Sequence, residues 1–243
     1  MQIFGIALPA LTAVSAAHSA TAQETPRTCN QVQIFISRGH GESMPGLQTV
    51  ISDEICKGRP SCGFQSIAFN ATSEPATLCL DQYAGVLRAW ADISEYAAQC
   101  PESKLVITGW SRGGALVSDL LAGGGGIPLA GDLCEQPVTP ALDPDVFPGN
   151  RGRLFAAVIN FGVLHHNANQ TWNVGSGSSR DGQHPRNADM LRQLGRWADR
   201  FRDYCEVNDP LCAQGGDSGS HRDYFTKEKW RQMAAEFVAS RLG

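Results

Sequence analysis

A serine between two glycines is the clearest candidate for chemistry in this sequence. Residues 109–113 read Gly-Trp-Ser-Arg-Gly, between an apolar run at residues 105–107 and a helical pattern at residues 114–121. A strand, a sharp turn and a helix form the context in which Gly-x-Ser-x-Gly acts as a nucleophile elbow. The strained turn excludes a Cβ beside the serine, and the helix N-terminus favours developing negative charge. A bare match arises often by chance in a chain with 26 glycines, so the flanking elements carry the prediction that Ser111 is a nucleophile.

Two residues later in the chain could activate this serine. A serine hydroxyl needs a base to take its proton and an acid to fix the tautomer of that base, in the chain order serine, acid, histidine. Asp209 lies between Cys205 and Cys212, so a disulfide there would hold the acid rigidly, and His221 follows in a polar, glycine-rich stretch. Alone, each residue could be a turn aspartate or a solvated loop histidine. Together they favour a triad with Ser111.

The remaining histidines after the serine are weaker candidates for the base. His184, with Asp181 just before it, is the reserve candidate. His165 and His166 are adjacent at a strand end, so their side chains face opposite ways and cannot readily share a metal or both reach Ser111. The sequence contains no Cys-x-x-Cys pair, so it does not suggest a zinc site.

Apolar periodicity predicts alternating strands and helices. The predicted strands cover residues 32–37, 64–69, 105–107 and 154–161, with a last one ending at Tyr204, and the predicted helices cover residues 47–55, 81–99, 114–121, about 187–197, and 227–242. Alternation of this kind implies a mostly parallel sheet covered on both faces. Residues 133–152 are predicted to form a surface loop rich in Pro and Asp, and residues 167–186 a long polar loop.

Two of the predicted helices carry an apolar stripe at three- and four-residue spacing. In the helix over residues 81–99 the stripe consists of Tyr83, Val86, Leu87, Trp90, Ile93 and Ala97. In the last helix the residues in register are Trp230, Met233, Phe237 and Arg241.

The first 22 residues predict secretion. They contain no Lys, Arg, Asp or Glu, include an apolar run, and end in Ala-Thr-Ala, which is typical of a signal-peptide cleavage site. A buried first helix is the alternative. Residues 23–243 then form a single domain, and no later stretch is long and apolar enough to span a membrane. A net charge of −4 supplies no basic surface for nucleic acid or an anionic membrane, so neither partner is predicted.

Eight cysteines follow the predicted signal peptide, an even number that indicates four disulfides in a secreted protein. Cys56 and Cys62 lie six residues apart and are predicted to form a local bridge. The sequons Asn70-Ala-Thr72 and Asn169-Gln-Thr171 are glycosylation acceptors if the chain crosses a eukaryotic secretory pathway.

These motifs together resemble carbohydrate esterase family five, the acetylxylan esterases and cutinases. The residues that carry the resemblance are the 109–113 elbow, Tyr204-Cys205, Asp209-Pro-Leu-Cys212 and His221, and it extends through residues 34–39, Cys100-Pro101, the glycines 123–126 and residues 160–162. It covers essentially all of residues 23–243. The resemblance implies an α/β fold, a three-layer α/β/α hydrolase sandwich with a central five-stranded parallel sheet, cutinase-like and without a lid. It also implies that there is no cofactor and no metal.

The resemblance assigns roles and pairings to individual residues. Ser111 is the nucleophile, His221 the base and acid, and Asp209 its orienter, while the backbone N–H groups of Arg112 and His40 form the oxyanion hole. The implied disulfides are Cys29–Cys100 and Cys205–Cys212, which leaves Cys79 with Cys134 if Cys56–Cys62 forms, with two other pairings of those four cysteines open.

The chain departs from the family pattern at three places near the predicted site. Arg112 stands where the family has Gln, which is expected to add a charge beside the nucleophile. His40 stands where Ser or Thr supplies a hydroxyl, and Gly162-Val163-Leu164 replaces Gly-Asp-Pro.

The residues around His221 bear on the substrate. They are polar throughout: Asp217, Ser218, Gly219, Ser220, Arg222 and Asp223. Polar flanks suit a hydrated carbohydrate with a small acyl group. Tyr224 and Phe225 could instead line an apolar slot, but they are expected to pack under the last helix. The sequence therefore predicts a secreted, extracellular, monomeric serine esterase that hydrolyses esters on plant cell-wall polymers, in the first place acetyl groups on xylan. The alternatives are a cutinase or polyester hydrolase, and a catalytically weak carbohydrate-binding or host-interaction relative that stacks sugars on Trp172.

Overall fold

A computed structural model of the chain describes residues 28–72, 74–129, 134–145 and 155–243. The predicted signal peptide, residues 1–22, and both ends of the predicted loop at residues 133–152 lie outside the described residues. In the part of the chain that the structure describes, no helix combines the length and the apolar character needed to cross a membrane.

The centre of the fold is a parallel sheet with the strand order β2-β1-β3-β4-β6-β5. Its strands are β1 (Val32–Ser37), β2 (Cys62–Ser66), β3 (Lys104–Trp110), β4 (Phe155–Phe161), β5 (Asn173–Val174) and β6 (Phe201–Tyr204). Strand β3, in the middle, is buried from Leu105 to Trp110, as its apolar run predicts. The carboxyl ends of β3, β4 and β6 therefore lie side by side.

The described sheet has six strands, so the expectation of five is wrong by one. The extra strand is β5, which has two residues and lies inside the segment predicted to be a polar loop. Backbone hydrogen bonds from Asp203 to Trp172 (3.1 Å) and from Cys205 to Val174 (2.9 Å) attach it to β6. Because so short a strand lacks alternating apolar residues, periodicity does not reveal it.

Helices cover both faces of the sheet and give the predicted three-layer sandwich. The helices are α1 (Thr49–Cys56), α2 (Leu78–Gln99), α3 (Arg112–Ala122), α4 (Ala188–Gly195), α5 (Asp223–Thr226) and α6 (Glu228–Leu242), with a 3₁₀ turn at Ser220–Arg222. One apolar core lies between the sheet and α2, α3 and α4. The other lies between the sheet and α1, α5 and α6.

The predicted apolar stripes are only partly correct. In α6 the buried residues are Trp230, Ala234 and Val238, whereas Met233 is 38% exposed. The buried residues of α6 are spaced by four, which brings the small Ala234 to the sheet. The prediction that the larger Met233 faces the core is therefore wrong. In α2, Leu87 is 47% exposed.

The four disulfides match the predicted pairing in full. They are Cys29–Cys100, Cys56–Cys62, Cys79–Cys134 and Cys205–Cys212. The last closes a short loop after β6 and, by the chain-entropy argument, contributes about 2–3 kcal/mol to the free energy of unfolding. Both of its cysteines are fully buried, so the loop between them is held firmly against the core.

Candidate active site

The chain makes a sharp turn between β3 and α3, and Ser111 lies at its apex. Ser111 has φ 55° and ψ −125°, a conformation that L-residues rarely adopt. Its N–H donates to the Phe161 carbonyl at 2.9 Å, at the end of β4. A Cβ on Gly113 would lie 2.1 Å from the Ser37 carbonyl oxygen, and one on Gly109 would lie 2.6 Å from the Cα of Gly114. The two flanking glycines are therefore required by space, as the elbow motif predicts.

The structure brings Asp209 and His221 together. The His221 Nδ1 lies 3.0 and 2.9 Å from the two carboxylate oxygens of Asp209, which is fully buried. The Leu211 N–H donates to Oδ1 and the Tyr224 hydroxyl to Oδ2, each at 2.8 Å. Burial acts to raise the pKa of Asp209, but the hydrogen bond and charge of His221, with the Leu211 and Tyr224 donors, outweigh it and lower that pKa. Asp209 is therefore held ionised with its charge directed at the histidine.

Two contacts with Trp110 place His221 near the elbow. The Trp110 indole N–H donates to the His221 carbonyl at 2.9 Å, and the two rings lie 5.0 Å apart at 34°. Ser111 directly follows Trp110 in the chain. Serine, histidine and aspartate thus gather at the carboxyl ends of β3, β4 and β6, where open α/β sheets bind their ligands.

Gly162, directly after β4, leaves the space that the Asp209–His221 pair fills. It has φ 57°, and a Cβ there would lie 2.7 Å from Asp209 Oδ2 and 2.9 Å from His221 Nδ1. No real Cβ approaches other atoms so closely, so any side chain at this position must displace the pair.

Replacing Gly162 by alanine is therefore expected to lower kcat/KM about 100-fold, because a shift of about 1 Å in a catalytic group has that effect. The measurement is hydrolysis of p-nitrophenyl acetate. Gly216→Ala is the matched control, since a Cβ at Gly216 meets nothing within 4 Å. Equal activity of the two variants would show that the pair does not depend on the space at Gly162.

The turn that carries His40 lies against the elbow. A Cβ on Gly39 would lie 2.4 Å from the Trp110 ring, so the turn and the end of β3 are in close contact. The Glu42 carboxylate accepts from the Gly39 N–H at 2.6 Å, and the Gly41 N–H donates to the Ala71 carbonyl at 2.8 Å. These bonds fix the backbone on both sides of His40.

The second predicted oxyanion donor is at the start of α3. Arg112 is the first residue of that helix, and the N–H groups of a first helical turn have no partner within the helix. That the N–H groups of Arg112 and His40 hold an oxyanion stays a prediction. His40 is an exposed residue whose imidazole is partly desolvated. This desolvation first, and the charge of Arg112 second, lower the pKa of the imidazole below its ordinary value.

The Arg112 side chain packs against helix α2. It lies buried against α2, with its guanidinium donating to Gln82 Oε1 and to the Leu78 carbonyl, each at 3.2 Å, and lying 5.8 Å from the centre of the Phe69 ring. Burial lowers its pKa to about 10. The start of α2 thus supplies the acceptors that hold this side chain, while its charge still acts on His40, so the expectation of an added charge beside the nucleophile stays a prediction.

The other histidines have separate partners. His165 Nδ1 bonds the His184 carbonyl at 2.6 Å, whereas His166 Nδ1 bonds Asp203 Oδ2 at 2.7 Å. Burial, followed by the charge of Arg186, lowers the pKa of His165 to about 4. Burial also acts against protonation of His166, but the Asp203 carboxylate outweighs it and raises that pKa. Asp209 pairs with His221 rather than with the reserve candidate His184.

The structure decides between the interpretations that the sequence left open for Trp172 and Tyr224. Trp172 is buried, 6.0 Å from the Phe201 ring, so the suggestion that it stacks on sugars is wrong. Tyr224 is buried under the last helix, as expected, and its hydroxyl also reaches Asp209, a contact that the sequence did not suggest. The available signal was its spacing, three residues after His221 and so about one helical turn away.

Comparison with known proteins agrees with this fold. The family model for cutinase matches residues 28–242. Acetylxylan esterase 2 of Talaromyces purpureogenus is 24% identical over 234 residues, covering 89% of each chain. Acetylxylan esterase of Hypocrea jecorina is 27% identical over 237 residues, covering 89% of this chain and 68% of that one. The solved catalytic core domain of acetyl xylan esterase from Trichoderma reesei superposes with a TM-score of 0.73 at 22% identity, over 88% of this chain and all of that one.

A parallel α/β sandwich with a serine at the elbow and an Asp–His pair beside it defines the class of α/β hydrolases. Within that class, the chain belongs to the cutinase family, a family of carboxylic ester hydrolases.

Proposed function

We propose that this chain is a secreted serine esterase that removes acyl groups from plant cell-wall polymers, and that its main substrate is acetylated xylan. The observation that carries the proposal is the buried Asp209–His221 pair beside the strained Ser111 elbow. Relatives named acetylxylan esterase support the choice of substrate.

In this mechanism the Ser111 Oγ attacks the acyl carbon while His221 accepts its proton. The N–H groups of Arg112 and His40 hold the oxyanion of the tetrahedral intermediate. The intermediate collapses to an acyl-enzyme, and His221 gives the proton to the departing sugar hydroxyl. Water, deprotonated by His221, then attacks the acyl-enzyme, which releases acetate and restores Ser111. Asp209 stays ionised and holds the histidine tautomer throughout.

The surroundings of His221 favour a small acyl group on a hydrated polymer. Gly219 and Arg222, on either side of it, are exposed. Tyr224 and Phe225, the two residues that could have lined an apolar slot, are 0% and 6% exposed and pack into the core below α6. The rim beside the histidine is therefore polar.

One observation favours the second candidate, a cutinase or polyester hydrolase. Met44 is 54% and Leu47 37% exposed, in the segment that continues from the His40 turn. Glu42 connects the two, because its carboxylate accepts from the N–H groups of both Gly39 and Leu47. Exposed apolar side chains near the oxyanion turn could bind an aliphatic chain, each gaining about 1.5–3 kcal/mol on full burial.

The length of the acyl chain distinguishes these substrates. With p-nitrophenyl esters, kcat/KM is expected to fall from acetate to butyrate to octanoate, because the polar rim offers nothing for a long chain to bury. A maximum at butyrate or longer contradicts the acetyl esterase. In that case Met44→Ser should lower the octanoate rate and leave the acetate rate unchanged.

Secretion and a monomeric state belong to the same proposal. Four disulfides are typical of proteins that fold in an oxidising compartment, which supports an extracellular location. Residues 1–22 are proposed as the signal peptide, and residues 23–243 as one domain.

A further inference from the structure

The Tyr224 hydroxyl is buried next to the candidate active site. Tyr224 lies in α5, with its ring 5.7 Å from that of Phe161 and 5.5 Å from that of Trp230. Its exposed fraction is 0%. A buried tyrosine needs partners for its hydroxyl, because an unpaired polar group in the core is destabilising.

The direction of each hydrogen bond at this hydroxyl is determined by its partners. The Glu206 N–H, 3.0 Å away, can only donate, so the tyrosine oxygen accepts there. Asp209 Oδ2, 2.8 Å away, accepts the hydroxyl proton. Burial, followed by the charge of Asp209, raises the pKa of Tyr224 well above its ordinary value, so the donor proton is retained over the whole range in which an esterase works. The sulfur of Cys212 lies 3.5 Å from the same oxygen.

This hydroxyl connects the two segments of chain that meet at the Asp209–His221 pair. Glu206, Asp209 and Cys212 belong to the loop closed by the last disulfide, whereas Tyr224 follows His221 by three residues. The loop that carries the acid and the segment that carries the base are therefore tied together directly beneath their contact.

The hydroxyl also fixes the plane of the Asp209 carboxylate. Rotation about the last bond of an aspartate side chain is soft, so hydrogen bonds decide its orientation. The Leu211 N–H holds Oδ1, and the Tyr224 hydroxyl holds Oδ2. With both oxygens held, the carboxylate presents both oxygens to His221 Nδ1, at 3.0 and 2.9 Å.

We propose that Tyr224 is a positioning residue for the reaction: its hydroxyl orients Asp209 and partly neutralises the carboxylate charge that acts on His221. The inference deepens the proposed function and rests on it.

Tyr224→Phe, which removes only the hydroxyl, is the test. kcat for p-nitrophenyl acetate is expected to fall about 10- to 100-fold with KM within about twofold, because the lost hydrogen bond is to a charged group and does not contact substrate. Without the donor, Asp209 attracts the proton on His221 more strongly, so the inactive protonated histidine persists to higher pH. The acid limb of the kcat/KM profile should therefore move upward by about 0.5 pH unit. Asp203, itself paired with His166, also acts on Tyr224, and the substitution leaves both in place.

Tyr204→Phe is the matched control. The Tyr204 ring is also buried, 4.9 Å from Phe161 and 6.0 Å from Trp230, but its hydroxyl donates to the Met233 carbonyl at 3.3 Å. Its loss should affect unfolding without moving kcat or the acid limb. If the two variants have the same kcat and the same pH profile, the positioning role is wrong.

Two further measurements separate the possible failures. If a fluorophosphonate does not label Ser111 in the folded wild-type protein, the proposed function itself fails. If wild type is labelled and Tyr224→Phe behaves as wild type does, only the role of Tyr224 fails. If Tyr224→Phe does not fold, the Tyr224 hydroxyl is instead altered by incorporating 3-fluorotyrosine. The Tyr204→Phe protein is used for this purpose, so that position 204 carries no fluorinated phenol. The more acidic phenol at position 224 donates more strongly, so the acid limb should move to lower pH, and an unmoved limb overturns the inference.

Discussion

Replacing Ser111 by alanine is expected to lower kcat by about 10⁴- to 10⁶-fold, to the level left by the oxyanion donors and substrate binding alone. The reason is that no acyl-enzyme forms without the hydroxyl, and His221 has no proton to accept. The variant should fold, because alanine removes one oxygen and leaves the backbone hydrogen bond to Phe161 in place. Relief of the strained turn is not expected, since alanine also has a Cβ.

The measurement is release of acetate from acetylated xylan and of p-nitrophenol from its acetate ester. Ser179→Ala is the control, because Ser179 is an exposed serine outside the elbow. A fluorophosphonate followed by intact-mass measurement should label wild type and the control once and leave Ser111→Ala unlabelled. Activity of Ser111→Ala within a few-fold of wild type would refute the mechanism.

Replacing Asp209 by asparagine is expected to lower kcat by about 10³- to 10⁴-fold, as loss of the acid does in other serine hydrolases. Three donors point at this carboxylate: His221 Nδ1, the Leu211 N–H and the Tyr224 hydroxyl. An amide has only one acceptor atom, so at least one buried donor faces an NH₂ group. The histidine is then held in the wrong tautomer or moved from the elbow.

The same substitution has a signature in the stability of the protein against pH. Since the pKa of Asp209 lies below its ordinary value of about 3.9, its carboxylate contributes free energy of unfolding above about pH 4. That contribution is lost as the pH falls through the lowered pKa. Denaturant unfolding between pH 2 and 7 should therefore show a smaller acid destabilisation in Asp209→Asn than in wild type. Asp189→Asn is the control, because this side chain is 82% exposed in its ion pair with Arg192. Identical slopes for the two variants would contradict the assigned shift.

The sequence was most informative where a local motif has only one three-dimensional solution. Gly109 and Gly113 specify the elbow because the surrounding backbone leaves no room for a Cβ. The disulfide that brackets Asp209 restricts its loop, so the acid could be chosen before its contact with His221 was known. Both inferences depend on backbone space and chain connectivity, which a sequence expresses directly.

Features that depend on distant neighbours could not be predicted in this way. Arg112 turns to α2 because acceptors lie there, and Trp172 is buried because β5 attaches its loop to the sheet. The Tyr224 hydroxyl has a partner because the chain folds back on the loop after β6. Tertiary packing decided each of these outcomes.

The order of strands in the sheet has a consequence for how the substrate specificity of this protein could evolve. His40 follows β1 and Ser111 follows β3, which are neighbours in the sheet although 71 residues separate the two in sequence. Gly113 packs on the backbone at the end of β1, so the segments that carry the two proposed oxyanion donors are held against each other. A substrate meets a site that is already assembled, and its binding energy is not spent on ordering the protein. Evolution can then exchange exposed side chains such as Met44 or Arg222 at little penalty to folding, since surface substitutions usually change stability by about 0.5 kcal/mol or less. We therefore expect single substitutions at the rim to change the ester specificity of this protein.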